Sequence, residues 1–227
     1  IAYLDVLNRL SPGNSVSDEL VTPIAMTSRS RLTITNSFGM PSQPPKDWMA
    51  DMEIAKGYLH SAQLLAVSVV GTPPCDTTPT KLDALARDYA RCGAMAREAG
   101  ADLIEANLSC PNTSEGEGDL YTDPQAAETV MRTMRRQIPN VPLGVKLGYF
   151  DNLDTLRAVI LQIAPFIDFI VSINAVKLTV RQPSGAPAIS EDRSQSGVCG
   201  YAIRDLGLYN VKEICKIRQE HALDIRV

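Results

Sequence analysis

Nothing in this sequence approaches the roughly 20 consecutive apolar residues that a membrane-spanning helix needs. The first residues lack the basic-then-apolar pattern of a secretory signal. No block of lysine and arginine stands out and the net charge is −4, which disfavours a nucleic-acid surface. The five cysteines, Cys75, Cys92, Cys110, Cys199 and Cys215, form no CxxC pair. An odd, scattered set argues against a disulfide framework or a zinc site and fits a reducing cytoplasm. The two histidines, His60 and His221, lie far apart without a ligand pattern, so they read as surface residues and no metal site is expected. No GxGxxG loop follows an early strand, so the usual dinucleotide fingerprint is missing.

What is present suits a soluble globular chain. With 227 residues, 44% hydrophobic and 21% charged, residues 1–227 can bury a sizeable core and are expected to form a single domain. From residue 64 onward, apolar runs alternate with helical patterns. Leu64–Gly71, Ala101–Asn107, Leu143–Leu147 and Asp168–Asn174 read as strands. Leu82–Ala99, Pro124–Gln137, Asn152–Ile163 and Asp205–His221 read as helices, the first ended by Gly100 and the second capped by Asp123. A long polar loop is expected between Asn174 and Gly200, and Asp224–Val227 begins another strand. The first 20 or so residues contain no convincing buried strand.

Repeated β-α units with nearly uniform apolar strands imply a parallel sheet covered by helices. An open doubly wound sheet and a (β/α)8 barrel both fit. The barrel is preferred because Ser68, Asn107, Lys146 and Asn174 place polar side chains at successive strand ends, which a barrel converges on one mouth. About five strands and the beginning of another are countable where a TIM barrel has eight, so the barrel is expected to be incomplete at one or both ends.

The chemistry concentrates in Asn107-Leu108-Ser109-Cys110-Pro111-Asn112, where a buried strand gives way to a loop. Ligands of α/β folds bind at such carboxyl ends. Amides can read the edge of a polar heterocycle, and a thiol can act as an acid or a base. A free cysteine is also often a small buried hydrophobe, and loop asparagines commonly serve turns. Lys146 interrupts an apolar strand, where a lysine seldom stays buried without a partner, although one at a strand end can reach solvent.

Four motifs, in order, resemble the dihydroorotate dehydrogenase family, in particular its class 1, cysteine-using branch: Asn36-Ser37-Phe38-Gly39-Met40-Pro41, Asn107 to Asn112, Gly144-Val145-Lys146-Leu147, and Ser196-Gly197-Val198-Cys199-Gly200-Tyr201-Ala202-Ile203. The resemblance implies a flavin-binding TIM barrel that oxidises dihydroorotate to orotate with FMN, in the de novo synthesis of UMP. It implies Cys110 as the general base, and Asn36, Phe38, Gly39, Met40, Asn107, Asn112 and Asn174 at the substrate. FMN would be met by Ser68, Asn107, Lys146, Gly197, Cys199 and Gly200. The implied assembly is a homodimer, with an electron-transfer subunit as a further partner, and no nucleic acid or membrane.

Departures from the family pattern are specific. The stretch Glu19-Leu20-Val21-Thr22-Pro23 has no lysine where the family places one that contacts flavin and substrate. Ala175 stands where Ser or Thr is usual. The acidic loop from Thr113 to Tyr121 looks more like the NAD-linked branch than the fumarate-using one. The glycine loops that clamp the FMN phosphate in the family would fall after Val227. A related flavin barrel acting on another dihydropyrimidine, and a non-catalytic paralogue, are the alternatives. A tRNA dihydrouridine synthase would call for a basic RNA face, which this acidic chain does not suggest.

Overall fold

The computed structural model describes residues 2–5, 19–21, 32–39, 42–72, 81–109 and 120–227, with the first two segments as backbone. In chain order the elements are β1 (Ala2–Asp5), β2 (Glu19–Val21), β3 (Leu32–Asn36), α1 (Pro45–Gly57), β4 (Ala66–Val69), α2 (Lys81–Glu98), β5 (Leu103–Asn107), α3 (Pro124–Gln137) and β6 (Leu143–Leu147). They continue with α4 (Leu153–Ile163), β7 (Phe169–Ser172), β8 (Val176–Arg181), β9 (Gln195–Gly200) and α5 (Arg204–Glu220).

The strands β4, β5, β6 and β7 lie side by side in parallel, with Phe169 bridging to Arg226 in a further parallel step. Their alternation sorts side chains to two faces. Ile104, Ala106, Leu143, Val145, Leu147 and Ile170 are buried on the helix side with residues of α2, α3 and α4. The helices present the matching stripe, such as Leu85, Ala86, Tyr89 and Ala90 on α2 and Val130, Met131 and Met134 on α3. Caps set the helix starts: Asp123 accepts from the backbone of Gln125 and Ala126, and Asn152 from that of Asp154 and Thr155. Gly93 lets α2 and α3 approach closely, since a Cβ there would lie 3.2 Å from Met134. Two acidic residues staple the amino ends of the strands. Asp102 accepts from the Leu65 backbone N–H and the Lys56 ammonium, and Asp168 from the Leu143 N–H and the Arg135 guanidinium.

This is the strand-helix order and parallel pairing of a (β/α) barrel wall. Over the described residues it is an open arc, not a closed ring. A second sheet, in the order β1-β3-β9-β8-β2, corrects two expectations. Where a long polar loop was expected between Asn174 and Gly200, β8 and β9 form an antiparallel hairpin with Val176 opposite Val198. The cause is visible in Val176-Lys177-Leu178-Thr179-Val180, strict alternation that buries Leu178 and Val180 in a core of their own with Val198, Ala202, Ile203 and Leu206. The first 21 residues also contribute strands, β1 against β3 and β2 against β8, because pairing partners distant in sequence recruit them. The helix α5 joins the two cores, with Leu206 in the hairpin's and Ile214 and Ile217 in the main one. No helix among the described residues is long and apolar enough to cross a membrane.

Candidate active site

On the face of the parallel sheet opposite the helices, β5 presents Leu103, Glu105 and Asn107, and β6 presents Gly144 and Lys146. Two opposite charges therefore share the barrel's inner surface. Lys146 Nζ lies 3.3 Å from Glu105 Oε1, with the lysine side chain 24% exposed and the glutamate 14%. Ser68 of β4 donates its hydroxyl to the same Oε1 at 2.7 Å. Three neighbouring strands thus converge on one carboxylate oxygen. Lys146 keeps two further N–H donors without a partner among the described residues. Sequence reasoning singled out Ser68 and Lys146 but missed Glu105. The available signal was a second charge inside an apolar strand, since half-buried charges come in pairs.

At the carboxyl ends of these strands the amides gather. Asn107, the last residue of β5, is buried, and its Oδ1 accepts from Ser109 N at 3.3 Å and from Asn174 Nδ2 at 3.1 Å. Asn174 Nδ2 also lies 2.8 Å from the Ser109 carbonyl and 3.3 Å from its hydroxyl. The amide's orientation is set by Ala175, whose backbone N–H donates to Asn174 Oδ1 at 2.9 Å. Behind this layer the Ser109 hydroxyl donates to the Lys146 carbonyl at 3.1 Å, and the buried Tyr89 hydroxyl donates to the Asn107 carbonyl at 2.8 Å. Asn107, Ser109, Lys146 and Asn174 are therefore one connected cluster. Cys110 and Asn112 follow it directly in sequence but lie outside the described residues, as does Met40.

A second group sits on the hairpin sheet. Asn36 ends β3 opposite Gly197 of β9. Below it Thr35 and Ser196 hydroxyls are 2.6 Å apart and buried. Phe38 is 65% exposed, and Gly39 adopts a positive φ of 71°. Ile173 and Tyr149, which follow the ends of β7 and β6, pack on the hairpin's core, so the hairpin lies against the carboxyl end of the parallel strands. The Cys199 thiol donates to the Ile34 carbonyl at 3.4 Å, and burial raises its pKa above the ordinary thiol value. Gly200 has φ of 94°, and a Cβ there would fall 2.5 Å from the Leu32 carbonyl. The close approach that this glycine makes here is to β3. No cluster of three or more metal-binding side chains occurs among the described residues.

Among the described residues this arrangement offers a cation beside amide donors and acceptors, the groups that suit a polar, planar ligand. A family model described as Dihydroorotate dehydrogenase matches residues 24–225 of the chain. A dihydroorotate dehydrogenase of Dictyostelium discoideum is 32% identical over 215 residues, 92% of this chain and 56% of that protein. The catalytic subunit of the NAD(+)-type dihydroorotate dehydrogenase B of Staphylococcus carnosus is 33% identical over 125 residues, 55% of this chain and 38% of that one. Subunit PreA of the NAD-dependent dihydropyrimidine dehydrogenase of Escherichia coli K12 is 31% identical over 127 residues, 53% of this chain and 30% of that protein. The chain spans little more than half the length of the Dictyostelium protein and less of the others.

Proposed function

The chain belongs to the dihydroorotate dehydrogenase family, whose fold is the TIM barrel, and on that premise we propose that it takes part in FMN-dependent oxidation of dihydroorotate to orotate in pyrimidine biosynthesis. The observation that carries the reading is the Asn107–Ser109–Asn174 cluster, which places paired amides and the root of the Cys110 loop beside Lys146 at the strand ends.

The donor set fits a flavin. Lys146 offers ammonium N–H groups on the inner face, where a cation would favour the negative charge that builds at the flavin's N1 and O2 side on reduction. Ser68, Asn107, Gly197, Cys199 and Gly200 complete the proposed flavin contacts. When bound, FMN supplies the acceptor for a hydride leaving the substrate's C6.

The remaining work falls to the chain's own residues. Asn36, Asn107, Asn112 and Asn174 would hold the pyrimidine's amide and carboxylate groups, aided by Phe38, Gly39 and Met40. Cys110, as thiolate, would take the proton from C5 as the C5=C6 double bond forms. The substrate thereby loses one hydride and one proton and becomes orotate. A thiol's reference pKa of about 8.5 requires the loop to favour the thiolate. The reading includes a homodimer with an electron-transfer subunit, and a cytoplasmic location.

The similarity to PreA favours a second reading, oxidoreduction of another dihydropyrimidine at the same site. One experiment separates them. An anaerobic absorbance spectrum of the purified full-length protein near 450 nm is recorded before and after adding dihydroorotate. Bleaching of bound flavin supports the first reading, whereas a flavin bleached only by dihydrouracil or dihydrothymine supports the second. Protein that takes up no FMN refutes both.

A further inference from the structure

Glu105 has no part in the function described above, yet it is the hub of the inner face. Its Oε1 receives the Ser68 hydroxyl at 2.7 Å and faces Lys146 Nζ at 3.3 Å, while its side chain is only 14% exposed. An ionised carboxylate is costly to hold at such a depth unless a cation and hydrogen bonds compensate it, and here both are supplied by the neighbouring strands. The register explains why the contact is built in. Ser68 pairs with Glu105 across β4 and β5, and Asn107, two residues on along the same face, pairs with Lys146 across β5 and β6. The lysine side chain therefore reaches back along the sheet to meet Glu105. Among the described residues no other acidic group is within salt-bridge distance of Lys146.

We infer that Glu105 is a positioning residue for Lys146, fixing where the ammonium stands on the inner face and offsetting part of the positive charge it offers to a bound flavin. The inference rests on the reading of Lys146 as a flavin contact. Ser68 has a place in it as the group that orients the carboxylate, so that one oxygen serves both partners. Electrostatics fixes the direction of the effect. A lone ammonium stabilises the negatively charged reduced flavin more than an ammonium paired with a carboxylate does. Neutralising Glu105 at constant shape should therefore favour the reduced cofactor, and the part of the effect that acts through the ammonium should vanish with Lys146.

The test measures the two-electron reduction potential of bound FMN, with the FMN dissociation constant, in the full-length protein and in Glu105→Gln, Lys146→Met and the double variant. Glu105→Gln should raise the ratio of affinities for reduced over oxidised FMN by about tenfold, about 30 mV for a two-electron couple. In the Lys146→Met background the same change should move the ratio clearly less, because no ammonium remains for Glu105 to hold. Glu105→Asp, which keeps the charge, should stay near the parent and guards against a folding defect in the glutamine variant. An equal shift in both backgrounds would mean that Glu105 acts without Lys146, and no shift in either would mean that it does not tune the site. Both results overturn the inference and leave the flavin reading standing. A parent protein that binds no FMN overturns the two together.

Discussion

The side-chain amide of Asn174 donates to the side-chain carbonyl of Asn107 across 3.1 Å, tying the end of β5 to the segment that follows β7, 67 residues later in the chain. The same nitrogen reaches the Ser109 carbonyl, so Asn174 fixes the residue from which the Cys110 loop departs. Asn174→Ala removes this tie and takes one hydrogen bond from the buried Asn107 side-chain oxygen, which still accepts from the Ser109 N–H. We expect a stability loss of about 0.5–1.5 kcal/mol, the net scale of a hydrogen bond, read as a lower urea midpoint. Substrate affinity should fall as well. A variant as stable as the parent would show that the amide contributes nothing to holding the loop.

Cys110 stands one residue beyond this tie. As the proposed base, its loss should slow the reductive half-reaction while sparing flavin binding. Cys110→Ala is expected to reduce dihydroorotate-driven flavin bleaching by about 100-fold or more, the usual scale for a positioned base. Anaerobic stopped-flow absorbance measures it, and a rate equal to the parent's would remove Cys110 from the chemistry.

Lys146 offers the second separable prediction. Its ammonium is the cation on the inner face of β6, so Lys146→Ala should loosen FMN. The expected outcome is a dissociation constant at least about tenfold higher, equivalent to about 1.4 kcal/mol, followed by recovery of flavin fluorescence on dilution. Protein that stays fully yellow through desalting would speak against the contact.

Much of the fold was legible because local chemistry and tertiary packing agree. The start of α3 follows from Asp123 and Pro124, and the end of α2 from Gly100, while the uniform apolar runs mark β5 and β6 as buried. The hairpin β8–β9 was hidden by the Gly, Pro and charged residues of its long connection, although the alternation of Val176, Leu178 and Val180 was there to be read. The short strands β1 and β2 are decided by partners far along the chain, which no local pattern reveals. In the site, Asn107, Lys146 and Asn174 were legible as polar residues at the ends of apolar strands. Glu105 was absorbed into its apolar neighbours, and the Asn174–Asn107 bond depends on how separate strands align.

Behind the site, Gly71 and Tyr89 set a steric test of the same architecture. A Cβ at Gly71 would lie 2.5 Å from Tyr89 Cδ2 and 3.0 Å from the Leu85 carbonyl, and Tyr89 is only 1% exposed. That ring has nowhere to retreat without losing its hydrogen bond to Asn107. Gly71→Ala is therefore expected to cost about 1–3 kcal/mol, as overpacked core substitutions do. Combining it with Tyr89→Leu should cost less than the sum of the two single changes. Simple additivity in urea unfolding would mean that the two sites do not press on each other.

Acid should weaken the opposite end of the barrel wall through Asp102. The Leu65 backbone N–H, and then the Lys56 ammonium, hold the Asp102 carboxyl below the ordinary aspartate range. A depressed folded-state pKa means that the unfolded chain binds the proton more readily. The stabilisation is therefore fully present above the unfolded value of about 3.9 and is lost as the pH falls through the folded value. Asp102→Asn lacks the titrating group. The stability gap between parent and variant should stay constant from about pH 6 to about pH 8 and narrow below about pH 4. Denaturant midpoints collected across that range measure the gap. A gap that widens on acidification would reverse the sign and exclude Asp102 as the group that joins α1 to the amino end of the sheet through its charge.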